Sequence, residues 1–186
     1  HIVLVNRCGW HRTEAGLAFT IPTGAGYGPA AGDVLLQHGH ECKAHAFEQA
    51  GTLSEWQDQI ARYAVGNSRM ALVIAAAFVA PLLDSAGEES GGLHLFGESR
   101  SGKTTLLATA ASVYGKGING AGQIGSWRST LNGLEAASAA ASDLPQFLDE
   151  LGQVDARALG SMVYAFANQT GKARANQKGA ARASSS

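Results

Sequence analysis

The sequence has few cysteines, little net charge and no long apolar run. Two cysteines, Cys8 and Cys42, are too few for a disulfide framework and favour a reducing compartment, so we expect a cytoplasmic protein, without excluding one bridge. The formal net charge of -1 excludes a uniformly basic coat protein and an acidic disordered chain. The longest apolar run, residues 70–83, is shorter than the roughly 20 residues that a membrane span needs and contains Pro81. We therefore predict a buried core helix there, packed on a sheet, and no membrane association.

Residues 1–50 differ in pattern from the rest of the chain. Stretches of β-branched and aromatic residues at 2–5, 17–21 and 33–37 predict strands. We expect a small β-rich N-terminal piece over residues 1–50, followed by a core over residues 51–186.

Residues 51–186 alternate between helix and strand patterns. Thr52 and Glu55 form a capping-box pattern ahead of an amphipathic helix. Further along we predict a strand at 93–96, helices at about 103–114 and 130–141, a strand near 147–148 and a helix from 155 to about 168. This alternation predicts an α/β fold in which helices flank a parallel sheet.

The most specific motif is G-x-x-x-x-G-K-[ST], between the predicted strand at 93–96 and the predicted helix at 103. Its glycines let the loop curl so that backbone N–H groups point at phosphate oxygens, beside the positive end of a helix. Lys103 would reach the β- and γ-phosphates of ATP, and Thr104 would bind Mg²⁺. The alternative is a glycine-rich turn with an exposed lysine. The predicted ATP-binding residues are Gly97, Glu98, Ser99, Arg100, Ser101, Gly102, Lys103, Thr104 and Thr105.

An acidic pair follows the predicted strand at 147–148. A phosphate-binding loop needs a second metal-orienting carboxylate from a neighbouring strand, and Asp149 is placed to supply it together with Thr104. Glu150 would act as the general base that activates the attacking water. The predicted catalytic residues are therefore Lys103, Asp149 and Glu150, in an ATPase. The alternative is a pair of solvated acids after a short apolar run.

Two Cys-x-x-His pairs, Cys8 with His11 and Cys42 with His45, offer four ligands of the kind that bind zinc. The pairs lie among ordinary strand-like residues, which favours Cys8 in the core and solvated histidines. Zinc binding by these four residues is the alternative interpretation.

Several separate segments resemble one family, the predicted ATPase domain of Cch-like helicases of mobile genetic elements, long classified as a domain of unknown function. The matching segments are Gly9-Trp10-His11, Gly51-Thr52-Leu53, Gly66-Asn67-Ser68-Arg69, Gly91-Gly92-Leu93-His94 and Leu148-Asp149-Glu150-Leu151. The resemblance implies a P-loop AAA-plus fold, similar to minichromosome-maintenance helicases. It also implies a hexameric ring that couples ATP hydrolysis to movement along DNA, in replication or mobilisation of an element or phage.

The end of the chain is basic, because no Asp or Glu follows Asp155. In the resembling helicases a hairpin at this position projects cations into the central channel, which implies that Lys172, Arg174 and Lys178 contact single-stranded DNA. A cationic turn can pair with phosphates without reading base sequence. The alternative is a solvated tail.

The resemblance also defines what to expect beyond residue 186. The first residue is not Met, and the chain stops before the family's sensor strand and its arginine finger, so we expect a piece of a longer protein that hydrolyses ATP poorly by itself. Two other functions compete with a helicase motor. One is a nucleotide-gated assembly or replication-initiator module without unwinding activity, and the other is a small-molecule kinase, for which no arginine-rich lid is visible at 115–129.

Overall fold

The computed structural model describes residues 2–37, 43–153, 159–160 and 163, which form a mixed α/β structure with small sheets and helices. Its N-terminal strands are β1 (Val3–Val5), β2 (Gly9–Thr13), β3 (Gly16–Thr20), β4 (Gly26–Tyr27) and β5 (Val34–Leu36). Strands β2, β3 and β4 form an antiparallel sheet, whereas β1 and β5 pair in parallel. The three strands predicted at 2–5, 17–21 and 33–37 are confirmed, and β2 and β4 are additions.

The N-terminal strands pack against the C-terminal half of the chain. Cys8 is fully buried and shares a cluster with Leu36 and Leu144. Its backbone N–H donates to the carbonyl of Ala140 at 2.9 Å. The β-rich piece is therefore in contact with the rest of the chain, and its separation at residue 50 stays a prediction.

Helix α1 (Leu53–Gln59) begins at the predicted capping box, which is confirmed. The backbone N–H of Thr52 donates to Glu55 Oε2 at 2.8 Å, and the N–H of Glu55 donates to Thr52 Oγ1 at 3.2 Å. The bond from the Thr52 backbone, followed by that from its hydroxyl, lowers the pKa of the Glu55 carboxyl.

The predicted buried helix forms, but most of its surface is open. Helix α2 (Ser68–Val79) starts at Asn67, whose side chain accepts from the N–H of Met70. Only Val73 and Ala77 are buried in it, so the expectation of an enclosed core helix is wrong. Helix α2 packs mainly on α4 (Lys103–Ala111), and one helix can cover only one side of another.

The helical segment also extends beyond the apolar run at residues 70–83. Pro81 lies in the first positions of a 3₁₀ turn (Ala80–Leu82), where the missing backbone N–H of proline costs no hydrogen bond. Helix α3 (Leu83–Ala86) follows directly. By length and composition alone, Ser68–Ala86 could cross a membrane, a test that helices of many non-membrane proteins also pass.

The second core cluster joins the helices to a parallel strand pair. Strands β6 (Ile124–Ser126) and β7 (Phe147–Asp149) pair in parallel, with Ile124 beside Phe147. Helix α5 (Leu131–Ala140) connects them, and the side chain of Thr130 caps it by accepting from the N–H of Gly133. The cluster consists of Val73, Ala77, Ala110, Ala111, Ile124 and Phe147. The predictions of α4, α5 and β7 are confirmed; β6 was not predicted.

Tyr114 supports this cluster from its edge. Its hydroxyl donates to the carbonyl of Ala77 at 3.0 Å, and burial raises its pKa to about 12. The bond ties the segment that follows α4 to α2.

The prediction of a strand at 93–96 is wrong. Residues 91–97 have no regular secondary structure, and Leu93 and Phe96 are 51% and 87% exposed. A strand needs a partner for its backbone groups, and within the residues that the structure describes β6 and β7 pair in a sheet of two. The helix predicted from 155 to 168 is described only at residues 159, 160 and 163, which are helical. The rest lies outside the described residues.

Candidate functional site

The glycine-rich loop forms a curled turn ahead of α4. Gly97 and Gly102 have φ angles of 148° and 84°, which favour glycine, and Gly102 caps the helix that starts at Lys103. Arg100 also adopts a left-handed conformation, with φ of 62°. For a residue with a Cβ atom this conformation costs about 1–2 kcal/mol, so the surrounding turn holds it in place.

The ammonium group of Lys103 lies inside this turn. Its Nζ donates to the carbonyl oxygens of Gly97 and Glu98 at 2.9 and 2.6 Å, and contacts Ser101 Oγ at 3.3 Å. An ammonium has three N–H donors, so each has an acceptor within the loop. The lysine therefore ties the start of the loop to the start of the helix.

A cleft of about 240 Å³ opens beside the loop and is lined by residues 100–105. The first backbone N–H groups of a helix have no acceptor within the helix, and they carry the positive end of its dipole. The lining thus combines the start of α4 with the cation Lys103 and the hydroxyl of Thr104, which suits an anion.

Thr104 and Asp149 lie in direct contact. The Thr104 hydroxyl donates to Asp149 Oδ2 at 3.0 Å, although the two residues come from α4 and from the end of β7. Helix α4 packs on both β6 and β7, and this packing brings its first turn to the C-terminal edge of the strand pair. Both side chains present oxygen atoms, the ligand type that Mg²⁺ prefers.

Glu150 follows at the same edge and is held by a residue that we did not predict. Its backbone is left-handed, with φ of 67°, and its N–H donates to Asp149 Oδ1 at 2.8 Å. Ser126 Oγ donates to Glu150 Oε2 at 2.8 Å. Ser126 is the last residue of β6 and lies beside Asp149 in the parallel register, a position visible only once β6 is known.

The two other predicted sites are only partly described. Lys172, Arg174 and Lys178 lie outside the described residues, as does Cys42. His11 Nε2 lies 3.1 Å from Thr20 Oγ1, and His45 Nε2 lies 3.1 Å from the Ala121 carbonyl. Over the described part of the chain, no three His, Cys, Asp or Glu side chains are grouped to hold a metal.

His11 belongs to the β-sheet side of the molecule. Burial, with a smaller contribution from the nearby Arg7 guanidinium, lowers the pKa of its imidazole below the usual value. The neutral ring is therefore the form that the folded chain favours.

Fold and site together define a mixed α/β domain in which a curled glycine loop and the start of α4 line one cleft, and Asp149 at the end of β7 contacts Thr104 in that lining. The chain belongs to the family described as Domain of unknown function (DUF927), whose model matches residues 1–186. Neither the curated proteins nor the solved structures contain a significant match.

Proposed function

We propose that this chain is a P-loop ATPase domain of AAA-plus type that binds Mg-ATP at residues 97–105 and hydrolyses it. The observation that carries the proposal is the contact between Thr104 Oγ1 and Asp149 Oδ2 at 3.0 Å, beside a loop that encloses the Lys103 ammonium. Residues far apart in sequence thus meet at the point where a triphosphate-binding loop needs its metal ligands.

Phosphate binding rests on the loop and on the start of α4. Backbone N–H groups at a helix start point toward an anion without reorganisation, and the helix dipole favours negative charge there. Lys103 already lies within the loop and can exchange its bonds to the Gly97 and Glu98 carbonyls for phosphate oxygens.

Metal binding rests on Thr104 and Asp149. Their contacting oxygens fit Mg²⁺, which takes hard oxygen ligands and is commonly held by one or two protein groups together with substrate phosphates. When bound, Mg²⁺ would neutralise charge on the phosphate oxygens during transfer.

Glu150 is the proposed general base. Its carboxylate is oriented by Ser126 at the edge where Asp149 lies, so it can accept a proton from a water beside the cleft.

The wider assignment rests on the resemblance to Cch-like helicases. We propose a cytoplasmic motor of a mobile element or phage that acts as a hexameric ring on single-stranded DNA, with Lys172, Arg174 and Lys178 contacting phosphates. Salt dependence of DNA binding tests this part, because each lost phosphate contact lowers the slope of log affinity against log salt by about one.

One observation favours a second function. Glu150 and Lys103 both bond to groups of the chain itself, an arrangement suited to a nucleotide-gated assembly or initiator module that binds ATP without rapid turnover. In such a module Glu150→Gln would leave the assembly output unchanged, whereas in a motor it would abolish the output.

Calorimetric titration of the chain with Mg-ATP tests the central proposal. We expect binding by the wild type and its loss in Lys103→Ala. Lys116→Ala is the matched control, because the Lys116 side chain forms an exposed ion pair with Glu48 at 3.0 Å and lies outside the loop. Equal affinity in wild type and Lys103→Ala would overturn the proposal.

A further inference from the structure

Within the described part of the chain, Arg100 is the loop cation whose charged group has no partner. The side chain is exposed and lines the cleft at residues 100–105. Among the residues that the structure describes, its guanidinium forms no hydrogen bond and no ion pair, whereas the Lys103 ammonium has an acceptor for each of its three donors.

We propose that the Arg100 guanidinium binds the phosphate chain of the nucleotide from the tip of the loop and so favours polyphosphates over less charged ligands. This inference rests on the proposed function, since it concerns the same cleft. It assigns to the side chain a role that backbone N–H groups cannot fill, because guanidinium presents a planar pair of donors that matches two phosphate oxygens.

The surroundings of the loop support a role for added positive charge. Glu98 lies in the loop and is exposed, and the Asp149 carboxylate accepts a hydrogen bond from Thr104, one of the residues that line the cleft. A triphosphate entering here meets these carboxylates, so a second cation next to Lys103 offsets repulsion. Arg100 is that cation within the loop.

The backbone of Arg100 allows the role of the side chain to be separated from that of the loop. With φ of 62°, the position suits glycine better than arginine. Arg100→Gly therefore keeps the loop conformation accessible while it removes the whole side chain, and Arg100→Ala, which retains a Cβ atom, controls for the added backbone freedom of glycine. A loss of affinity in this variant without a loss of melting temperature cannot arise from a distorted loop.

The experiment compares Mg-ATP, inorganic triphosphate and adenosine as calorimetric ligands for the full chain. We expect Arg100→Gly and Arg100→Ala each to weaken ATP and triphosphate binding by about five- to tenfold, the range of one solvent-exposed charge-assisted contact. Any adenosine binding should be unchanged, and Arg100→Lys should retain part of the affinity. Arg69→Ala, an exposed arginine on α2, is the matched control and should bind like wild type.

The possible results separate this inference from the proposed function. If Lys103→Ala loses ATP while both Arg100 variants bind like wild type, the role of Arg100 is refuted and the ATP site stands. If wild type binds neither ATP nor triphosphate, both are refuted. Equal losses for adenosine and ATP, or a lower melting temperature in Arg100→Gly, would assign Arg100 to the architecture of the loop.

Discussion

Two acidic residues with left-handed backbones, Asp143 and Glu150, lie in regions of opposite character. Their φ angles are 61° and 67°. The Asp143 side chain is only 10% exposed, and its Oδ2 accepts from the N–H of Trp10 at 3.1 Å and pairs with Arg7 at 3.5 Å. Glu150 is exposed, and its carboxylate accepts a bond from Ser126.

The difference shows how the same backbone cost is offset in two ways. At Asp143 it is offset by partly buried bonds that join the β2–β3–β4 sheet to the segment after α5, so the residue serves stability. Glu150 is exposed, and its left-handed backbone motivates the hypothesis that the residue has a functional role. The predictions below test this contrast.

The largest expected effect is on turnover. If Glu150 is the general base, Glu150→Gln should lower ATP hydrolysis by about 10²–10⁴-fold, because the amide cannot accept the proton. ATP affinity should stay within about twofold. Phosphate release and calorimetric binding measured on the same preparation check both parts, and turnover equal to that of wild type would exclude Glu150 as the base.

The substitution that tests the region around Asp143 is Gly9→Ala. Gly9 has φ of 96°, and a Cβ there would collide with the Asp143 carboxylate and the Ser142 carbonyl. We expect destabilisation by about 3 kcal/mol, the sum of strain and overpacking. Urea unfolding followed by circular dichroism measures it. Gly152→Ala, where a Cβ meets nothing within 4 Å, is the control and should unfold like wild type.

A smaller loss of stability is expected for Asp143→Ala. The N–H of Trp10 loses its acceptor, and Arg7 loses its ion pair while it keeps its bonds to the Cys8 and Trp10 carbonyls, at a cost of about 2 kcal/mol. Glu150→Ala should change the free energy of unfolding by less than about 0.5 kcal/mol, because the side chain is exposed. Equal losses in the two variants would remove the distinction between the two acids.

The smallest effect concerns His11, whose pKa is lowered mainly by burial. The stability that its neutral ring contributes is fully present above the unfolded-state pKa of 6.5. It is lost as the pH falls through the folded-state pKa, because the unfolded chain then binds the proton more readily. In His11→Gln the decline of unfolding free energy between pH 6.5 and pH 5 should be shallower. An identical slope would assign the decline to other groups.

Local elements were predictable from a few neighbouring residues. The capping box at Thr52 is confirmed, because a cap depends on a side chain and an N–H within one helical turn. The loop at 97–104 was recognised for the same reason, since its glycine spacing is local. Its roles in binding and catalysis stay predictions.

Long-range pairing was not predictable in the same way. Strand β6 is short and follows a glycine-rich stretch, so its sequence carries no alternating pattern. Without β6 there was no reason to place Ser126 beside Glu150. The apolar stretch at 93–96 fails for the converse reason, since its residues favour a strand but the described residues offer it no neighbour in a sheet.

The order of residues alone determined where helices begin, where the glycine loop curls and which side chains in it carry charge, because these depend on groups within a few positions. Tertiary packing decided that Thr104 meets Asp149, that Ser126 holds Glu150 and that α2 leaves most of its apolar surface open. The reason is that contacts between distant segments depend on which surfaces pack together, and short-range patterns do not specify that choice.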